Sequence, residues 1–365
     1  MKPLDYARAA CDTMMRRYAA SDLPPKRHFH YHQGVFLSGM NETYMLCGEA
    51  KYFQYIKDWV DSVFDAEGNI FEYAHADLDD IQPGILLFHM WDRTKDVRYL
   101  HCLKSVWQEV RDIPCNAEGG FWHKVNLQDQ MWLDGLYMSG PFISEYAARY
   151  HMPHMADTVV QQALMMQEKT LDGRTGLLCH AWDGTKEAEW ADPMTGRSDE
   201  FWGRAMGWVP VALLDDLDFL PDDISGREEL ADMCKNLLIA LCRYQSEDGR
   251  WYQVVDKGGW PGNWLENSCS CLYVSGLCKA MRKGYLPAEY GSAAIRGYDG
   301  VIRSIGWEGE NIQIGNVCIG TGVGDYEHYC NRPVSTNDLH GVGAFLLMYT
   351  EMQRWLDAKE KESSR

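Results

Sequence analysis

The sequence predicts an all-α fold of about twelve amphipathic helices paired into six hairpins, and three observations predict it. Apolar residues recur at i, i+3, i+4 and i+7 over stretches of a dozen or more residues, not in strict alternation. A short polar turn closing on glycine recurs after roughly every second stretch: Asp65-Ala-Glu-Gly68, Asn116-Ala-Glu-Gly119, Asp172 to Gly176, Glu247-Asp-Gly249 and Gly306-Trp-Glu-Gly309. Two segments also align, Lys51-Tyr-Phe-Gln-Tyr-Ile-Lys57 and Arg98-Tyr-Leu-His-Cys-Leu-Lys104, each running on to a tryptophan, Trp59 and Trp107. Propeller blades repeat at a similar length, but the helical period between the turns decides against them.

Taken in order, helices are expected to begin near residues 3, 34, 50, 80, 96, 129, 154, 200, 225, 264, 287 and 336. An inner ring of helices sheathed by an outer ring would bury them all, as one domain over residues 1–365 with no linker. An open α-solenoid fits the same count. In both arrangements the glycine turns fall at one end, just before each inner helix, and the chemistry is expected there.

Composition limits the partners. Lys plus Arg minus Asp plus Glu is 35 − 53 = −18 over 365 residues, which argues against nucleic acid and anionic membranes. The 14 Trp and 20 Tyr supply flat contact area of the kind sugar rings use. Twelve cysteines are spread from Cys11 to Cys330 without a CxxC pair, and no secretory signal is visible, so a reducing cytoplasm is expected. The most apolar runs, Trp208 to Leu214 and Leu237 to Cys242, fall well short of the roughly 18 residues of a membrane span.

Four segments place polar groups in apolar surroundings. Gln130-Met-Trp-Leu-Asp-Gly-Leu-Tyr-Met138 reads as a helix apolar on every face, so Asp134 is a buried carboxyl whose pKa burial would raise toward acid catalysis; a structural Asp bonded to a neighbouring helix is the alternative. In Asp77-Leu-Asp-Asp-Ile-Gln-Pro-Gly84, Asp79 or Asp80 could cap a helix, but two carboxylates need only one cap, which leaves the other for a site. In Glu200-Phe-Trp-Gly-Arg-Ala-Met-Gly-Trp208, Arg204 lies among Trp202, Met206 and Trp208 and needs an anion: an internal carboxylate, or a ligand carboxylate gripped in bidentate fashion. Phe121-Trp-His-Lys124 and His180-Ala-Trp-Asp183 each follow a glycine turn, so His123, Lys124 and His180 could supply donors.

Two further signals are set aside. His28, His30 and His32 share one face of an extended stretch, yet no carboxylate or Cys lies immediately beside them, so no metal is expected. Gly320-Thr-Gly-Val-Gly324 lacks the helix and the Lys-Ser/Thr ending of a phosphate loop and reads as a flexible loop.

Gln130 to Met138, Phe201 to Trp208, Leu78-Asp-x-x-x-x-Gly84, His180 to Asp183, Trp190-Ala-Asp-Pro193 and Tyr326-Glu-His-Tyr329 together resemble the signature of unsaturated rhamnogalacturonyl hydrolases, glycoside hydrolase family 105. The resemblance runs in order from about Tyr31 to Gly343. It implies an (α/α)6 barrel that removes a 4,5-unsaturated galacturonyl residue from the non-reducing end of rhamnogalacturonan fragments left by pectin lyases. It also implies no cofactor, a small unsaturated oligosaccharide as the substrate partner, with the oligomeric state left open, and Asp134 as general acid and base with Asp79 as the second essential carboxylate. Tyr31, Lys124, His180, Trp202, Arg204 and Trp208 match positions lining the sugar subsite, and His123 and Trp132 are expected beside them. The chain departs from the pattern at His28-Phe-His-Tyr-His32, where Trp often precedes the Tyr, and at Leu265-Glu-Asn-Ser-Cys-Ser-Cys271, where Ser and Ala are more usual. An unsaturated glucuronyl hydrolase shares this chemistry with another aglycone. An N-acyl sugar epimerase would want paired His bases, and a helical scaffold would carry its polar groups on the surface.

Overall fold

The computed structural model describes all residues except 72, 74–76 and 364–365. Twelve helices of eleven or more residues are found among the described residues: α1 (Pro3–Arg17), α2 (Tyr31–Cys47), α3 (Ala50–Ser62), α4 (Gly84–Thr94), α5 (Val97–Asp112), α6 (Asp134–Tyr150), α7 (Pro153–Thr170), α8 (Gly203–Asp216), α9 (Arg227–Cys242), α10 (Asn267–Lys283), α11 (Gly291–Ser304) and α13 (Leu339–Ser363). One short helix, α12 (Tyr326–Cys330), lies in the last loop. The expected starts fall within five residues of these.

The helices form two concentric rings. Around the inner ring α2 packs on α4, α4 on α6, α6 on α8, α8 on α10, α10 on α13, and α13 returns to α2. Each inner helix carries an outer one: α3 on α2, α5 on α4, α7 on α6, α9 on α8, α11 on α10 and α1 on α13. The contact of α13 with α2 closes the ring and excludes the open solenoid. The inner helices are buried almost all round, as in Gly203–Leu214 of α8, whereas outer helices such as α5 bury only one stripe, from Tyr99 through Val106 to Val110.

The recurring glycines have a shared cause. Gly68, Gly119, Gly176, Gly249 and Gly309 all adopt positive φ, between 59° and 96°, a left-handed backbone that glycine takes without a Cβ penalty. Each turn follows an outer helix and precedes an inner one. The Asp or Asn ahead of the glycine accepts main-chain N–H groups, as Asp65 does from Glu67 and Asn69, and Asn116 from Glu118 and Gly120. Four of these turns dock on the outer helix of the next hairpin: a Cβ would meet Arg98 at Gly68, Gln161 at Gly119, Ala240 at Gly176 and Arg296 at Gly249.

One expected helix is corrected. Gln130–Trp132 is a strand, β1, paired antiparallel with β2 (Ala181–Asp183), Met131 opposite Trp182 and Trp132 opposite Ala181. α6 begins only at Asp134. An apolar run this short carries no period that separates strand from helix.

Candidate active site

The N-terminal ends of the six inner helices converge, and the candidate side chains sit on them or on the turns leading into them. Because the first four N–H groups of a helix have no intrahelical partner, this end of the barrel favours anions.

Asp134 is therefore the first residue of an inner helix, not a lone carboxylate inside one. The β1–β2 ribbon delivers its partner: Leu133 N–H donates to the His180 carbonyl at 3.0 Å, which sets the His180 ring beside the carboxylate. His180 Nε2 lies 3.1 Å from Asp134 Oδ2, and His180 Nδ1 lies 2.7 Å from the Tyr329 hydroxyl. Gly324 N–H donates to that hydroxyl at 3.2 Å. The chain is satisfied in one direction, with Tyr329 O–H donating to Nδ1 and Nε2–H donating to Asp134. His180 is wholly buried, whereas 14% of the Asp134 side chain is exposed, so a ligand reaches the carboxylate and not the ring behind it.

Burial pushes Asp134 up, but the hydrogen bond and charge of His180, with His123 and Arg204 further off, outweigh it, and its pKa lies below the ordinary carboxylate range. The expectation that burial alone would raise this group is corrected; the missing influence was a partner distant in sequence.

Asp79 and Asp80 point different ways. The cap is Asp77, whose carboxylate accepts Asp79 N–H and opens the short 3-10 turn Leu78–Asp80. Asp79 accepts from Lys124 Nζ at 2.6 Å and lies 3.6 Å from His123 Nε2; Asp80 bonds His30 Nδ1 at 2.7 Å. Burial pushes Asp79 up, and His123, Lys124 and His30 pull it down to about 2, so it stays ionised. Lys124, held in a β-bridge with Asp77, also donates to that carboxylate at 2.8 Å. The ring of His123 stacks on Trp132 at 4.4 Å, with the planes 15° apart.

Arg204, in the first turn of α8, does not meet the internal carboxylate that was one of the two anions expected for it. Its Nη1 donates to the Cys318 carbonyl at 2.6 Å and Nη2 to the Ile319 carbonyl at 2.8 Å, and its guanidinium lies 4.6 Å from the Trp202 ring centroid. No salt-bridge partner of Arg204 is found among the described residues, so its charge enters the site without a paired carboxylate. Trp202 is buried against His180 and Tyr329. Trp208 lies one turn deeper, buried and stacked on Tyr137 at 4.8 Å. Tyr31 and Trp132, both half-buried, keep aromatic surface available. The loop expected to be flexible closes over them: a Cβ at Gly320 would come 3.4 Å from the Tyr31 hydroxyl, and one at Gly322 3.6 Å from Trp132.

Sequence reasoning omitted Tyr329 and His30 as site members. Tyr329 belongs to Tyr326-Glu-His-Tyr329, a motif noted without a role, and His30 had been set aside with its neighbours. A cavity of about 520 Å³ lies toward the other end of the barrel, but its charges are paired among themselves, as in Arg149 with Glu145, Lys279 with Asp215, Arg282 with Glu351 and Arg354 with Glu42.

A closed double ring with carboxylates and aromatic rings at the inner N-termini fits the architecture of a helical-barrel glycoside hydrolase. The family model described as Glycosyl Hydrolase Family 88 matches residues 6–356, and the chain belongs to this family. A glycoside hydrolase from family 105 of C. acetobutylicum superposes with a TM-score of 0.91 at 30% identity, over 96% of this chain and 99% of that one. The unsaturated rhamnogalacturonyl hydrolase YesR of Bacillus subtilis is 26% identical over 263 residues, 70% of this chain and 71% of the relative. The unsaturated glucuronyl hydrolase of Bacillus sp. GL1, responsible for the degradation of glycosaminoglycan, shares the fold at a TM-score of 0.72 and 14% identity, over 97% of this chain and 96% of that one. The chain is thus a glycoside hydrolase of the unsaturated uronyl hydrolase type. Among the described residues no helix is long and apolar enough to cross a membrane.

Proposed function

We propose that the protein removes a 4,5-unsaturated galacturonyl residue from the non-reducing end of short rhamnogalacturonan oligosaccharides, as in pectin breakdown. The observation that carries the chemistry is the Tyr329–His180–Asp134 chain, which holds one oxygen of a single partly exposed carboxylate at the positive end of a helix. A 4,5-unsaturated uronide is a vinyl ether, so its cleavage calls for one acid that becomes a base, not the matched pair of an ordinary glycosidase. Protonated Asp134 gives its proton to C4, and positive charge develops at C5 and the ring oxygen. Water adds at C5 and returns a proton to Asp134. The C5 hemiketal opens to a ketone, which frees the ring oxygen as the hydroxyl of a hemiacetal at C1; that hemiacetal collapses to the aldehyde and releases the aglycone as an alcohol.

Asp79, fixed as an anion by Lys124, accepts sugar hydroxyls or orients the water. Arg204 and the inner helix ends offset the uronate charge, and Trp132 and Tyr31 offer ring faces. Similarity to YesR favours a rhamnogalacturonan aglycone. The described cysteines are all free, in keeping with a cytoplasmic setting.

The test is loss of the ultraviolet absorbance of the conjugated double bond across a panel of unsaturated disaccharides. Fastest decay with the galacturonyl-rhamnose compound is expected. Preference for a glycosaminoglycan disaccharide would replace it with the glucuronyl reading, and no decay with any member would defeat both.

A further inference from the structure

His32, Asp338 and His340 lie at the starts of α2 and α13, far apart in sequence and adjacent where the ring closes. Each offers a donor atom, and the three donors lie within 4.8 Å of one another. His32 Nδ1 is buried without a hydrogen-bond partner, while His340 Nδ1 and Asp338 Oδ1 face each other 2.7 Å apart. A buried ring nitrogen such as His32 Nδ1 is costly unless something satisfies it.

The remaining nitrogen of His340 shows which atom is available. His340 Nε2 lies 2.9 Å from the Cys318 carbonyl, which can only accept, so Nε2 carries a proton, and a metal ion would displace the proton that Nδ1 shares with Asp338. A histidine that ligates a metal through one nitrogen and donates its other N–H to a main-chain carbonyl is the usual outer-shell arrangement. The His32 and His340 rings lie 5.2 Å apart, centroid to centroid, across the seam. His32 also faces His30, 5.2 Å away ring to ring, and Tyr31, but His30 is committed to Asp80.

We propose that His32, Asp338 and His340 form a binding site for a divalent first-row transition-metal ion, zinc in the first instance, at the seam between the first and last inner helices. Two imidazoles and one carboxylate suit such an ion, and side-chain rotation can bring the donors to the roughly 3.3 Å mutual spacing of a tetrahedral zinc centre, leaving a fourth position for water. The ion's role is structural: it joins α2 to α13. It also steadies Arg204, because the Cys318 carbonyl that accepts from His340 accepts from Arg204 as well. The site takes no part in the proton transfers at Asp134 and does not depend on which uronide is cleaved.

The test uses the full-length protein, stripped by chelation and dialysed, then titrated with zinc chloride by calorimetry. One equivalent is expected to bind with a rise in melting temperature. Cobalt(II) substitution should give d–d absorption without a thiolate charge-transfer band, which separates this site from the twelve cysteines. His32→Gln and Asp338→Asn should each weaken zinc binding by at least the roughly tenfold that losing an outer-shell partner already costs. Absence of saturable binding to the wild-type protein would overturn the proposal and leave His340 and Asp338 as a proton-held pair. So would a cobalt spectrum dominated by thiolate, or affinity unchanged in both variants. Should the variants fail to fold, the wild-type titration and the cobalt spectrum still decide.

Discussion

At Asp134 one oxygen is tied to a histidine and the group must still gain and lose a proton. A general acid-base group contributes roughly 10²- to 10⁴-fold, so Asp134→Asn should lose at least that in kcat while retaining substrate binding, measured by turnover and by calorimetry with the unsaturated disaccharide. The pH dependence follows from the site. The free enzyme holds Asp134 below the ordinary carboxylate range, so the protonated form is scarce and kcat/KM should fall steadily as pH rises from acid. A bound uronate adds a second negative charge and disfavours ionisation, so the same descending limb should appear at higher pH in kcat than in kcat/KM. Coincident limbs would show that the substrate carboxylate lies too far away to matter. Tyr329→Phe removes the hydroxyl that fixes the His180 tautomer; roughly tenfold lower kcat with little change in KM is expected, with the kcat pH limb displaced. The identity of Asp134 was legible because Gln130–Met138 offers no other carboxylate. Its ionisation was not, because His180 and Tyr329 reach it through a ribbon and a loop that no local pattern reveals.

Among the elements, the glycine turns were the most readable, since a left-handed backbone restricts the residue type and polar caps precede it. Their substitution should sort by surroundings. Gly249→Ala would set a Cβ 2.2 Å from the Arg296 carbonyl as well as straining a backbone at φ 96°, whereas Gly309→Ala meets nothing within 4 Å. Thermal unfolding should show a loss of about 1 kcal/mol at Gly309 and a distinctly larger one at Gly249, where the α11 docking contact must also shift. Equal losses would mean that the turn does not brace the next hairpin. The strands were the least readable elements. β1 and β2 are three residues each, too short for alternation to show, yet they bring Asp134 and His180 together.

For the whole molecule, a charge of −18 opposes the approach of an anionic sugar, while Arg204 and the helix ends attract it at short range. Salt screens the distant repulsion across a Debye length of about 8 Å and affects the buried attraction less. Initial rates at low substrate should therefore rise with ionic strength from low salt; a fall would mean that the local field governs encounter. The closure of the ring was not legible, because a solenoid and a barrel share the same local periodicity and differ only in whether α13 reaches α2. That seam has a consequence for how the chain is made. α1 precedes all the other barrel helices in sequence and packs on α13, which follows them all, so five hairpins are made before the sixth can form. Until then the flanks of α2 and α10 lack their neighbour and expose apolar surface, the condition in which nascent chains need shielding. The ring that carries the catalytic end therefore closes only once α13 has docked between α2 and α10, and a chain stalled before that point is an unfinished enzyme.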